Sequence, residues 1–594
     1  VKKAGLIIAV CMIVAGYAFH PARYPQPPIV STLVAQTDTL VAAVNRLDTL
    51  AVSGAPDLSL QSAFLRTRLA YKRIEWAVEY FNPLLARRLN GPPVPEAEVD
   101  IPADASPDEV PPRVLVVQPE GLQVVESLLY PSPGSRTALS RQLSALRVSA
   151  LQCRRSFAAI DPLEGQVFDA AKLEVFRVIT LGITGFDAPL TLHSVPEADA
   201  ALSSVQTALG CYSPLITPAF SAATAYLRIH PDFNTFDRAR FITAYANPLT
   251  RDITRLGADR HIPVIRYNRL LRQDAATLFD DNAFDADAYI PGPEDATTPA
   301  KIALGLRLFS DRRLSGSGTR SCATCHRPDK AFADGLTRDT VLGGTTLLAR
   351  NTPTLLNAAL QPALFYDLRA GTLEDQVADV LRSPLEMGGS VSAAAALLTQ
   401  DTVYRKLFAR VFARPAGAAV DTLEVMNALA AYVRSLVALN SRFDVYMRGD
   451  TAALSSLEVQ GFNLFMGKAR CGTCHYMPLF GGVFPPRFDR METEVLGVPA
   501  SPSGPALDSD AGRFGVLPEP FLLHAFKTTT VRNAARTAPY MHNGVFRTLE
   551  EVMTFYNNGG GAGVSNKTLS GDSLHLTPAE VKAVIAFIGS TDSR

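Results

Sequence analysis

The sequence predicts a mainly α-helical chain, an N-terminal helical bundle followed by two smaller domains built on one plan. Three observations predict it. Apolar residues recur at helical spacing over long stretches, and strand-like alternation is scarce. A third feature occurs twice: a helix, a glycine-containing turn, then Cys-x-x-Cys-His, ending at His326 and again at His475. At 594 residues the chain exceeds what one core can organise. Lys+Arg and Asp+Glu are both 57, so no basic surplus points to nucleic acid and no acidic tail is present.

In order along the chain, Lys2 and Lys3 precede an uncharged apolar stretch at 4–15, and Gly16-Tyr17-Ala18 offers small residues for cleavage. Residues 1–25 therefore read as a signal peptide or an N-terminal anchor, which implies an exported, periplasmic protein. The stretch is short for a spanning helix, so membrane attachment is expected only if it stays uncleaved. Cys11 follows Val10, not the small residue of a lipoprotein site. A helical domain is expected over 26–270. It holds a helical stretch at about 32–88, a proline-rich loop at 89–112, and runs at 121–130, 134–160, 165–182, 197–209 and 217–229. Two further domains are expected, 271–445 and 446–594. The first opens with "TPAKIALGLRLFSDRRLSGSG" and closes with a long helix at 424–439.

Of seven cysteines, one lies in the leader and four lie in the repeated motif. Cys153 and Cys211 remain, either as a disulfide or as two separately buried thiols. Cys322, Cys325 and His326, and again Cys471, Cys474 and His475, have the spacing that attaches c-type haem. Two thiols form thioethers with the haem vinyl groups, and the adjacent histidine reaches the iron. A zinc knuckle needs about four ligands, and neither motif has a neighbouring Cys/His pair. A redox dithiol has no use for the histidine. Two covalently bound haem c groups are expected, which makes the two C-terminal domains cytochrome c-like.

Beyond these motifs, "LGLRLFSDRRLSGSGTRSCATCHRPDKAFADG", "RNTPTLLNAAL", "NSRFDVYMRGD" and "FKTTTVRNAARTAPYMHNGVFRTLEEVMTFYNNGG" resemble the bacterial di-haem cytochrome c peroxidase family, which includes the methylamine-utilisation enzyme MauG. The resemblance covers about residues 290–590. It implies a peroxidatic first haem domain and an electron-transfer second one. The family's peroxidases carry a distal histidine in the loop matching "TRDTVLGGTTLLARN". Here no histidine lies between His326 and His475, so the first iron is expected to be open. Met387 is the other candidate ligand there. The resemblance implies that Glu386 is the catalytic acid–base group and that Gln376 is a pocket residue. It also places Tyr366 between the haems, where the family usually has tryptophan.

Opposite His475 the candidates are Met541, His542, Met553 and Tyr556. The family register selects Tyr556, at a position held by methionine in typical peroxidases and by tyrosine in MauG. It also implies a calcium ion held by the side chain of Asn351 and the carbonyls of Thr537 and Pro539. Farther upstream, "GLQVVESLLY" weakly resembles the GxHxxE motif of imelysin-like proteins. Gln123 replaces its histidine, which leaves Glu126 as either a metal-related residue or part of an amphipathic helix in a structural bundle.

The function these features imply is hydrogen peroxide reduction with electrons from a small redox protein, a c-type cytochrome or a cupredoxin. The alternatives are a MauG-like oxidase acting on a partner protein, or a non-enzymatic electron carrier.

Overall fold

The computed structural model describes residues 29–100, 113–569 and 571–594; the signal peptide or anchor expected at 1–25 lies outside the described residues. Helix α1 (Ile29–Val52) buries Leu33, Leu40, Val44 and Leu47, one face at spacings near 3.6. It packs against α2 (Asp57–Lys72) and α6 (Arg136–Ala159), with α3 (Glu75–Phe81), α4 (Pro83–Asn90) and α5 (Leu122–Leu129) between them. Helices α7 (Glu164–Thr180), α8 (Ser194–Gly210) and α9 (Thr217–Ile229) follow. The chain then continues through α10 (Arg238–Phe241), a π turn and α11 (Asn247–Asp259), which the sequence pattern does not announce. Pro231 and Pro248 interrupt the periodicity there, and Asp237 starts α10 by accepting the Arg240 N–H at 3.0 Å.

The proline-rich stretch differs from the expected loop. Glu96–Asp100 (β1) pairs antiparallel with Arg113–Val117 (β2). This hairpin lays Ala97 and Val114 on Val495, Leu517, Leu522 and Ala525 of the C-terminal domain.

Helix α7 is buried almost all round, so its charged residues need internal partners. Its Arg177 meets Asp187 at 3.0 Å and Glu75 at 3.0 Å. Lys72 meets Asp187 and Glu75, each at 2.7 Å, and Arg68 forks onto Glu197 at 2.6 and 2.7 Å. Burial opposes ionisation of Asp187, but Arg177, Lys72 and Arg68 outweigh it and hold the carboxyl well below its usual range.

The two C-terminal domains repeat a helix crossing. Helix α12 (Pro299–Phe309) leads to α13 (Cys322–Cys325), α14 (Leu373–Arg382), α15 (Val391–Gln400), α16 (Thr402–Val411) and α17 (Thr422–Arg434). After α18 (Arg442–Met447), α19 (Ser456–Phe465) opens the second copy, which ends with α20 (Leu549–Asn557) and α21 (Pro578–Ser590). A Cβ at Gly305 on α12 would lie 1.9 Å from the Ala428 carbonyl of α17, and one at Gly461 on α19 would lie 1.9 Å from the Ala583 carbonyl of α21. Both crossings are too close for any other residue. Helix α17 stops at Arg434, short of the expected 439. There the chain turns away to Asn357, whose N–H bonds the Leu436 carbonyl and whose Oδ1 accepts the Ala438 N–H at 2.7 Å.

Leu304 to Val433 form a core of their own. The second copy instead shares one continuous core with the N-terminal bundle. Asn463 accepts the Ala239 N–H and donates to Asp237, both at 3.0 Å, and Phe186 sets its ring edge-on to Tyr476 and Phe484. Within this core Arg532 forks onto Asp444 at 2.7 and 2.9 Å and donates to the Pro478 carbonyl, with both side chains at most 3% exposed. Asp444→Asn leaves a buried cation unpaired, and denaturant unfolding is expected to lose about 3–5 kcal/mol. Burial works against the Asp444 charge, but Arg532 and Ser441 prevail and lower its pKa. A lowered folded pKa contributes stability above the unfolded value of about 4 and loses it as pH falls through the folded one. The difference between wild type and variant should therefore shrink below about pH 4.

Candidate functional site

The first motif begins at Ser321, whose N–H bonds the Thr324 hydroxyl at 3.0 Å, and winds one helical turn so that Cys322 and Cys325 share a face. His326 follows with its N–H on the Cys322 carbonyl. Its ring Nδ1 lies 2.9 Å from the Phe332 carbonyl. A carbonyl only accepts, so Nδ1 carries the proton and Nε2 keeps the lone pair an iron requires. His475 repeats this arrangement, with Nδ1 at 3.2 Å from the Phe480 carbonyl. Burial lowers both imidazole pKa values and favours the neutral, ligating form. All four motif thiols are unpaired, and burial pushes Cys322 up to about 11 and Cys471 up to about 12. Free thiols and oriented imidazoles fit covalent haem at both places. Among the described residues no group of three or more His, Cys, Asp or Glu is arranged to hold a metal ion directly.

The histidine-free loop folds as a short hairpin, with Thr340 bridged to Leu347. Asp339 puts a carboxylate oxygen 3.0 Å from Cys325 Sγ, and the Leu342 N–H bonds the Leu385 carbonyl. The loop thus ties the first motif to the segment that carries Glu386. Gln376 lies on α14, and Glu386 lies in the turn after it, half-buried, its N–H on the Ser383 carbonyl. Met387 is packed into the first domain's core, and its carbonyl accepts the Gly316 N–H.

Tyr366 sits at the seam between the domains. Its carbonyl accepts the N–H of Lys527, which lies on a short strand, Ala525–Lys527 (β4), paired with Thr493–Val495 (β3). Lys527 Nζ donates to Gln361 at 2.8 Å, and burial, opposed by Asp367, pushes its pKa down to about 8. Arg350 spans the seam, 2.6 Å from Asp367 and 2.7 Å from Asp510. Burial raises the Tyr366 hydroxyl well above its usual range, against the pull of Arg350.

The seam also shows which residue in the second copy corresponds to Tyr366. Asn357 and Asn533 both adopt φ 61°, and eight residues on Phe365 and Met541 both have positive φ. The bridges Leu364–Ala370 and Tyr540–Phe546 match in turn. Tyr366 therefore corresponds to His542, which stacks on Phe526 at 3.7 Å with Nε2 3.2 Å from Asp508. Lys527, Arg350 and Asp510 escaped the sequence reading; aligning the two repeats would have directed attention to this seam.

At the second motif, Tyr556 on α20 is half-buried, and burial raises its hydroxyl well above the usual range. Met553 is buried one turn earlier, and Met541 is half-buried with φ 70°. Asn351 donates from Nδ2 to the Leu336 carbonyl at 2.8 Å, and from its N–H to the His542 carbonyl at 2.7 Å. In the N-terminal bundle, Glu126 is 1% exposed with Oε1 taking the N–H and hydroxyl of Thr191. Gln123 is buried beside it on α5. Cys153 and Cys211 are separate free thiols, the first buried and the second exposed.

Residues 299–452 match the profile of the di-haem cytochrome c peroxidase family. The cytochrome-c peroxidase IdrP1 of Pseudomonas sp. (strain SCT) is 35% identical over 347 residues, covering 54% of this chain and 90% of that protein. The methylamine utilization protein MauG of Methylophilus methylotrophus is 33% identical over 342 residues, covering 56% and 95%. A solved MauG-like protein associated with microbial copper homeostasis is 30% identical with a TM-score of 0.45, covering 52% and 94%. With two Cys-x-x-Cys-His turns whose histidines are held alike at Nδ1 and relatives matched over nearly their whole length, the chain belongs to the di-haem cytochrome c peroxidase family, whose members are oxidoreductases that carry two haem c groups.

Proposed function

We propose that this chain is an exported, periplasmic peroxidase that reduces hydrogen peroxide at the haem of Cys322, Cys325 and His326, with electrons relayed through the haem of Cys471, Cys474 and His475 from a small redox protein, a c-type cytochrome or a cupredoxin. The observation that carries it is the pair of half-buried histidines, each with Nδ1 at a backbone carbonyl, together with a first-domain loop that has no histidine. When bound, the haems supply the iron that takes up peroxide and the electrons that reduce it. Glu386 moves a proton from one peroxide oxygen to the other, which lets the O–O bond part with water as the leaving group. Gln376 orients the peroxide, and Tyr366 lies on the path between the two domains.

A calcium ion belongs to the same proposal. With Nδ2 of Asn351 committed to two carbonyls, its Oδ1 accepts no hydrogen bond among the described residues, and neither do the carbonyls of Thr537 and Pro539. Free oxygen acceptors near the seam suit a hard cation.

Tyr556 favours a second reading, a MauG-like oxidase that acts on a partner protein. A phenolate opposite His475 would stabilise the ferric state and lower the potential, where methionine would raise it.

The test is the ferric protein itself. Electron paramagnetic resonance should show one high-spin and one low-spin haem, and stoichiometric peroxide should react without prior reduction. Two low-spin signals, with no reaction until one electron is added, would mean that the first iron is capped and would return the chain to electron transfer.

A further inference from the structure

The N-terminal bundle is built onto the second haem domain through one continuous core, and a charge lies where they meet. Arg238 is fully buried, and among the described residues it forms no ion pair. Three backbone carbonyls take its guanidinium: Ile183 at 2.9 Å, Phe236 at 3.1 Å and Phe233 at 2.8 Å. The ring of Phe233 covers its face at 4.5 Å. The two carboxylates whose charges reach it are committed elsewhere. Asp237 accepts the Arg240 N–H and the Asn463 amide, and Asp232 accepts the N–H and hydroxyl of Thr235. Burial pushes the arginine pKa down to about 9, which still leaves it cationic at neutral pH.

The guanidinium faces the turn that attaches the second haem. A Cβ at Gly467 would lie 2.7 Å from Arg238 Nη1, so the second domain keeps glycine where the arginine arrives. Gly467 accepts the Arg470 N–H at 2.8 Å, and Cys471 is the next residue. A buried cation that no carboxylate neutralises is weakly screened and acts over several residues.

We propose that the N-terminal bundle sets the reduction potential of the second haem, and that Arg238 is the positioning residue through which it does so. The inference rests on the reading that Cys471, Cys474 and His475 carry that haem. A fixed positive charge stabilises the ferrous state, which has one positive charge fewer than the ferric state, so the arginine raises the midpoint. The bundle thereby offsets part of the low potential that a phenolate ligand at Tyr556 would impose.

The experiment uses the full chain and follows each haem separately in a spectroelectrochemical titration, after haem content and attachment are checked by mass. At a fixed applied potential, Arg238→Met should lower the ferrous-to-ferric ratio of the second haem about five- to tenfold, as expected for one charge acting through an effective dielectric constant near 20. A tenfold change is about 59 mV for one electron. Arg238→Lys keeps the charge and should keep the potential. Asp237→Asn removes a negative charge from the same junction while retaining hydrogen-bond capacity, and should shift the second haem the opposite way by a smaller factor. If Arg238→Met does not accumulate, the opposite-sign shift in Asp237→Asn decides. A second haem that holds its wild-type midpoint in Arg238→Met and in Asp237→Asn, or a first haem that moves equally, overturns the inference. Wild-type protein with no haem on Cys471 and Cys474 would instead overturn the proposed function beneath it.

Discussion

Glu386→Gln is expected to leave both haems attached and to slow peroxide consumption roughly a hundredfold or more, the scale of losing a general acid–base group. The substitution is close to isosteric, and the backbone around it is held independently of the side chain. The N–H groups of 386, 387 and 388 all bond the Ser383 carbonyl, and the Met387 carbonyl takes the Gly316 N–H. Met387 anchors the turn in the first domain's core, so the altered side chain should not move the segment. What changes is chemistry, because an amide cannot take a proton from one peroxide oxygen and return it to the other. Turnover assayed beside haem content checks this. Near-normal turnover with full haem loading would remove Glu386 from the mechanism and direct attention to the other carboxylate bound to this loop, Asp339.

The same turn illustrates what a sequence conveys and what it does not. Cys322, Cys325 and His326 are legible because thioether attachment demands a fixed local spacing that one helical turn supplies. The repeated plan is legible too, and the structure deepens it: Gly305 and Gly461 meet the carbonyls of Ala428 and Ala583 at the same 1.9 Å approach. The repeat also extends past the motifs, where Tyr366 and His542 occupy matching places at one seam although their side chains differ. Arg350, Lys527 and Asp510 were invisible for another reason. Arg350 and Asp510 pair across 160 residues and Lys527 reaches Gln361 across 166, and no local period encodes such a pairing. The hairpin of β1 and β2 escaped because prolines surround it, and its Ala97 and Val114 find their partners on Val495, Leu517, Leu522 and Ala525 of the last domain. Arg238 escaped in the same way, since its role depends on Gly467, a residue of another domain.

Tyr556→Phe is expected to leave the second haem attached through Cys471 and Cys474, to weaken its low-spin signal and to raise its potential. Burial raises the Tyr556 hydroxyl well above its usual range, so in this pocket the phenol stays neutral unless a cation faces it. A ferric iron opposite His475 is such a cation, and a bound metal reverses the local preference for the neutral form. Phenylalanine keeps the ring and its edge-on contact with Phe555 at 5.4 Å, so helix α20 should hold its place while the sixth position empties. Loss of anionic donation then shifts the balance toward the ferrous state. The wild-type protein should also lack the near-infrared band of histidine–methionine ligation. The competing ligands are Met541 and the buried Met553 one turn earlier on α20. If Tyr556→Phe keeps the low-spin haem while Met541→Ala or Met553→Ala abolishes it, the tyrosine is not the ligand. The second haem would then have the ligation of an ordinary peroxidase, and the reading as an oxidase of a partner protein would lose the residue that supports it.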